Sequence, residues 1–383
     1  MLRRYKKSLL WLATITSILV LASVLVWFFV SPYDASIDKT ESFYVSENAP
    51  SRTSARATVV AIEGGKGSVK IEDGARRGLI VDVTFISVRP TPGDRVLVDM
   101  DRSGLTNGYA TEFWRIPGIA LLAFLFILLV VIVGGKQGLM SIVGLATSVL
   151  VIAAGLIPAV LNGVNAFWAC VAAAFGIAII SVVVAHGWRW RTAVSLLSIL
   201  FILCVAVGFA LLGGWLGHLT GIYDETSSLL ATTESAIDLR GVLVGGIIIA
   251  TLGVLDDIVT AQTAAIDELH KAQPKLTFSQ LFTHGRSVGR EHVASLVNTL
   301  ALAYIGVSLP IVLSMVLNFD PTRSILLLFN SEFISQEIIR TLVSSMALVL
   351  AVPAATAIGA FLILHKNQIF ATLKRSKPKS GGQ

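Results

Sequence analysis

Ile116-Pro-Gly-Ile-Ala-Leu-Leu-Ala-Phe-Leu-Phe-Ile-Leu-Leu-Val-Val-Ile-Val133 carries no charged side chain. At a rise of ~1.5 Å per residue it crosses most of the ~30 Å of hydrocarbon in a bilayer, where only a helix or a closed barrel satisfies the backbone. Runs of the same kind cover residues 139–160, 166–185, 193–216, 241–259, 293–317 and 341–364. An eighth, residues 9–30, follows Arg3, Arg4, Lys6 and Lys7. It is longer than a signal-peptide core and no small-x-small cleavage site follows Phe29, so residues 1–32 read as a retained anchor. The expected fold class is an α-helical polytopic membrane protein of about eight transmembrane helices.

Composition agrees: 54% of the 383 residues are hydrophobic and 14% charged, and the mean hydropathy is +0.77. The solvent for most of such a chain is lipid. A net charge of +6 raises the question of nucleic acid, but the basic residues fall in short clusters between apolar runs, which is a topological pattern. Cys170 and Cys204 lie inside apolar runs without metal or disulfide spacing and read as small core hydrophobes.

Basic clusters stay on the cytoplasmic side. With both termini cytoplasmic, the clusters at 186–191, 271–290 and 366–379 all lie inside, and the acidic loop 218–240, with Asp224, Glu225, Glu234 and Asp238, lies outside. Losing one span would reverse every cluster beyond it. Residues 366–383 form a basic cytoplasmic tail, and the expected location is a cell membrane.

Residues 33–114 differ in character. Segments 56–62, 68–71, 79–88 and 95–100 are rich in Val and Ile, separated by Gly64-Gly-Lys-Gly67, Arg77-Gly78 and Pro92-Gly-Asp94. This predicts a small extracytoplasmic β domain after the first helix, barrel-like or sandwich-like, of about five strands. No His, Cys or aromatic cluster marks a ligand site in it, so its expected role is structural or as a dock for an extracytoplasmic protein. Residues 33–53 read as a Ser-rich tether.

Charges within spans cost roughly 2.5–3.5 kcal/mol each on insertion scales and therefore mark functional candidates. Asp256 and Asp257 fall about 23 Å into the sixth span. Asp256, Thr260, Thr263, Asp267 and His270 follow at steps of four, three, four and three, a polar stripe down one helix face, with Glu268 beside it. Adjacent aspartates point about 100° apart and serve different neighbours. In the seventh span Glu291, Ser295 and Asn298 share one face and His292, Ser295 and Thr299 another. Asn298 lies two turns inside, where an amide needs a hydrogen bond. Glu337, Thr341 and Ser344 form a third stripe beside Arg340, readable as an interfacial ion pair or a gate.

His284, Glu291 and His292 match no metal-ligand spacing, and no metal or cofactor is expected. No Walker A sequence, G-x-S-x-G elbow or dinucleotide fingerprint is present, so neither ATP binding nor covalent catalysis is expected.

Three segments carry a resemblance: Gly253-Val-Leu-Asp-Asp257 with Ala265-Ile-Asp-Glu-Leu269; Gly289-Arg-Glu-His-Val-Ala-Ser-Leu-Val-Asn-Thr-Leu-Ala-Leu-Ala-Tyr304; and Glu337-Ile-Ile-Arg-Thr-Leu-Val343 with Leu348-Val-Leu-Ala-Val-Pro353. In these the chain resembles the YibE/F family of bacterial multi-pass membrane proteins, over most of its length. The resemblance implies a permease-like protein without a defined substrate. One departure is Ser344-Ser-Met-Ala347, where a Gly-rich run is expected, and it bears on how closely the helices pack there.

The function expected from these residues is a permease or secondary transporter of a small solute, proton or cation. Its path would use Asp256, Asp257, Thr260, Thr263, Asn298 and Thr299, supported by Asp267, Glu268, Glu291, His292, Glu337 and Arg340. The alternative is a non-transporting scaffold whose polar stripes only fasten helices together.

Overall fold

A computed structural model describes residues 52–101, 108–232, 237–317, 325–366 and 368. The expected anchor at 1–32, the tether up to 51 and most of the basic tail lie outside the described residues. The chain divides after Gly135 into two compact units.

In the first unit, β1 (Arg52–Glu63), β2 (Lys66–Ile71), β3 (Ile80–Phe85), β4 (Arg95–Asp101) and β5 (Gly108–Phe113) close into a barrel in the order β1-β2-β3-β5-β4. All pairs are antiparallel except β3 with β5. Alternation along the strands sends Ala57, Val59, Val69, Ile71, Val83, Val96, Val98 and Ala110 into a core where each is at most 2% exposed. Gly64 and Gly65 both take positive φ at the β1–β2 turn, as a two-residue hairpin requires. Irregular register at Val59/Ala61 and Leu97/Val98 gives the strands the curvature that closure needs. The sandwich alternative is therefore excluded. β5, Gly-Tyr-Ala-Thr-Glu-Phe, holds no Val or Ile, which hid it from a reading based on those residues.

One turn of the barrel carries a pH signature. The backbone N–H and hydroxyl of Thr91 donate to Asp94 Oδ2 at 2.6 and 2.9 Å, and these bonds hold the Asp94 carboxyl below its ordinary value of 3.8. A depressed native pKa adds stability that is complete above the unfolded value and is lost as pH falls through the native one. A fragment spanning the barrel should accordingly lose melting temperature on acidification from about pH 5 to about pH 2, and Asp94→Asn should lose less over that range. Identical acid limbs would refute the contribution of this turn.

Among the described residues six helices are long and apolar enough to cross a membrane. The first runs from Ile116 to Leu161, through α1 (Ile116–Leu150), a π-helical turn at Val151–Leu156 and α2 (Ile157–Leu161). Its 46 residues correspond to ~69 Å of helix, over twice the hydrocarbon thickness. Gly135, at φ 52° and ψ −133°, breaks it between the two apolar runs 116–133 and 139–160. The π turn precedes Pro158, which cannot donate to the carbonyl four residues back.

The second unit continues through α3 (Ala166–His186), α4 (Trp190–Leu216), the short α5 (Glu225–Thr232), α6 (Leu239–Ala272), α7 (Phe278–Leu317), the short α8 (Ile325–Phe329) and α9 (Glu332–Leu364). α6 is the central helix, packed against α3, α4, α7 and α9. Asp238 caps its start by accepting from Gly241 N at 2.9 Å. Small residues let the backbones approach: a Cβ on Gly245 would collide with Cys170 of α3, and one on Gly285 of α7 with Ile266 of α6. Ser344 and Ala347 are buried, and Ser344 Oγ lies 2.9 Å from Thr251 Oγ1 of α6. Packing there is close without the Gly-rich run, because serine and alanine are small enough and serine adds an interhelical bond. Glu332 ties the start of α9 to the loop after α4, accepting from Thr220 N, Gly221 N and Thr220 Oγ1 at 2.6, 2.8 and 2.8 Å.

Candidate functional site

Asp256 points from α6 toward α3, while Asp257, one residue on, is exposed away from the helix packing. Ser181 Oγ donates to Asp256 Oδ2 at 2.9 Å, and Asp256 Oδ1 is buried with no hydrogen-bond partner. The imidazole of His186, at the end of α3, lies near enough to interact electrostatically with both carboxylates, and its Nδ1 is likewise buried without a partner. Two buried polar atoms in one neighbourhood with unused bonding capacity are what a site for a mobile proton, ion or water leaves behind.

One turn along, Thr260 Oγ1 donates to Asp256 O at 2.7 Å. Thr260 also lines a cavity of about 210 Å³ with His186, Gln137, Arg191, Thr192 and Ser195. That volume holds several waters, and its walls offer imidazole, guanidinium, amide and hydroxyl groups to them. Ser195 Oγ and Thr263 Oγ1 lie 2.6 Å apart, and Thr263 Oγ1 also donates to Val259 O. The polar stripe of α6 thus finds partners on α3 and α4, forming a column from Asp256 through His186 and Thr260 to the Ser195–Thr263 pair.

The rest of the expected set is distributed elsewhere. Asp267 and Glu268 are held by Lys271 Nζ at 2.8 and 2.7 Å. Glu291, His292, Asn298 and Thr299 are exposed on α7, and Thr299 Oγ1 only bonds back to Ser295 O at 3.0 Å. The cause is helical phase: α7 turns Gly285, Gly289 and Leu300 toward α6 and α9, which places Asn298 on the opposite face. Asn298 and Thr299 therefore do not join Asp256. Glu337 and Arg340 form an i,i+3 ion pair at 2.8 Å on α9, and Thr341 Oγ1 donates to Glu337 O at 2.8 Å.

Several polar residues escaped the sequence reading. Ser181 is the lone hydroxyl of its span, a signal the sequence carries; His186 and Arg191 stand in the sequence only as parts of a basic cluster. Gln262 Nε2 donates to Gly285 O at 2.7 Å and Thr356 Oγ1 at 2.8 Å, fastening α6 to α7 and α9. Among the described residues no group of three or more His, Cys, Asp or Glu is placed to hold a metal ion.

Apolar helices of spanning length around a polar column define a multi-pass α-helical membrane protein. The YibE/F-like protein family model matches residues 122–365, well over half of the chain, and the chain belongs to that family. The match covers the helical part and not the barrel, so it is narrower than the resemblance read from the sequence. No curated protein and no solved structure matches the chain.

Proposed function

We propose that the protein is a permease or secondary transporter in which a small ion, a proton or a proton-coupled solute passes Asp256 and His186. The observation that carries this reading is the Asp256 carboxylate, bonded through one oxygen to Ser181 and buried without a partner at the other, one turn from a polar cavity. A carboxylate used only as a fastener is expected to bond through both oxygens, as Glu332 does.

The topology that serves this role has eight spans in a bacterial cell membrane. The first described helix supplies two, on either side of Gly135, and the other five described helices of spanning length supply one each; the eighth is the anchor expected from the sequence at 1–32, which lies outside the described residues. Both termini then face the cytoplasm, the barrel lies outside as a dock for an extracytoplasmic partner, and no enzymatic step is required. Cysteine labelling on a background lacking Cys170 and Cys204 tests the topology: Thr226→Cys should react with an impermeant reagent in intact cells and Gln273→Cys should not. Both positions are exposed. Proteoliposomes test the transport: vesicles bearing the protein should pass protons, alkali cations or small anions faster than empty vesicles. Rates equal to empty vesicles for all of them would favour the scaffold reading.

A further inference from the structure

A second concavity, separate in character from the polar cavity, is an apolar groove of about 370 Å³ at the junction of α3, α4 and α9. Val183 of α3, Leu197 and Leu200 of α4 and Leu362 of α9 form its walls, and Trp188 and Arg189 stand at one end. Trp188 is 82% exposed and Leu197 51%, so the groove opens to the surroundings of the helices rather than into their core. From Arg189 to Leu200 the groove follows α4 for about 16 Å, the reach of a good part of an acyl chain.

We propose that this groove is a binding site for an anionic phospholipid, one acyl chain lying along Leu197 and Leu200 and the phosphate meeting Arg189. Two features select this occupant. The walls are apolar along the groove and the single charge is at its end, which is the charge distribution of a lipid and not of a water-soluble solute. No described carboxylate forms an ion pair with Arg189, and the segment from His186 to Arg191 holds basic residues and no acidic one, so a phosphate supplies the missing counter-charge. Trp188 beside Arg189 matches the preference of indole for the headgroup level, which places this end of the groove at the membrane surface. The site goes beyond the transport reading: it neighbours the polar cavity through Thr192, which lines both, but needs no flux to exist.

Full-length protein in mild detergent, titrated with phosphatidylglycerol or phosphatidylcholine and read by native mass spectrometry, tests this directly. Phosphatidylglycerol should bind tighter than phosphatidylcholine. Arg189→Gln should weaken phosphatidylglycerol about fivefold, the factor expected for one basic residue at an anionic surface, and phosphatidylcholine less, because choline already offsets the charge of its phosphate. Ala193, which also lines the groove, is exposed; Ala193→Phe should fill the groove and weaken both lipids while leaving the lipid-free melting temperature in place. Brominated phosphatidylglycerol should quench fluorescence more than brominated phosphatidylcholine, and replacing both groove tryptophans, Trp188 and Trp190, by Phe should remove that excess. Equal binding of the two lipids, indifference to Arg189→Gln, or full phosphatidylglycerol binding in a folded Ala193→Phe protein would each overturn the assignment, leaving only bulk lipid or a protein neighbour over the groove.

Discussion

Asp256→Asn is expected to bring flux through the protein down to the level of empty vesicles and to erase its pH dependence, while the protein remains folded and inserted. Asn keeps the volume of Asp and can still accept from Ser181, so the substitution isolates the charge and the exchangeable proton. Asp257→Asn should have a smaller effect, because Asp257 is exposed whereas Asp256 is the one that Ser181 holds against α3. Asp267→Asn is the control: it removes one arm of an exposed bridge to Lys271, whose loss is worth less than about fivefold in any equilibrium. Flux normalised to folded protein and melting temperature in detergent should be measured for all three. A scaffold role predicts that Asp256→Asn lowers the melting temperature and that any flux falls only in proportion to surviving protein. Equal tolerance at positions 256, 257 and 267 in both measurements would defeat the site.

The second large effect separates two adjacent glycines of α6. Gly245 faces α3 so closely that an added Cβ would overlap the Cys170 side chain, whereas a Cβ on Gly246 meets nothing within 4 Å. Replacing glycine by alanine inside a helix is favourable by about 1 kcal/mol when space allows. Gly246→Ala should therefore be neutral or stabilising. Gly245→Ala must separate the helices or displace Cys170, and overpacking of this kind costs about 1–3 kcal/mol. Its melting temperature should fall by several degrees, and Cys170→Gly in the same chain should restore part of the loss, since it removes the atoms in conflict. A rise in melting temperature for both single variants would mean that α3 and α6 do not meet at this point.

Periodicity and length alone made most of the architecture legible. Each apolar run from 116 onward lies within an observed helix, because lipid leaves the backbone no alternative to helical hydrogen bonding. The barrel was legible where Val and Ile alternate and Gly-Gly or Pro-Gly-Asp marks a turn. It was not legible at β5, whose placement between β3 and β4 comes from long-range pairing that no local pattern encodes. The stripe Asp256, Thr260, Thr263 was readable because one helix holds it. That Ser181, His186 and Ser195 are its partners was not, because they come from two other helices and no local pattern encodes the pairing.

The residues by themselves determined that this chain lives in a bilayer, that a β unit precedes most of its spans and that α6 carries carboxylates where charge is costly. These properties depend on local composition and on the rise of a helix, which any segment expresses without its neighbours. Only the tertiary structure decided that Asp256 and not Asn298 faces a polar partner. Helix rotation about its own axis is set by packing, here by Gly285 and Gly289 turning one face of α7 inward, and a rotation of half a turn changes no feature of the local sequence while reversing what each side chain meets.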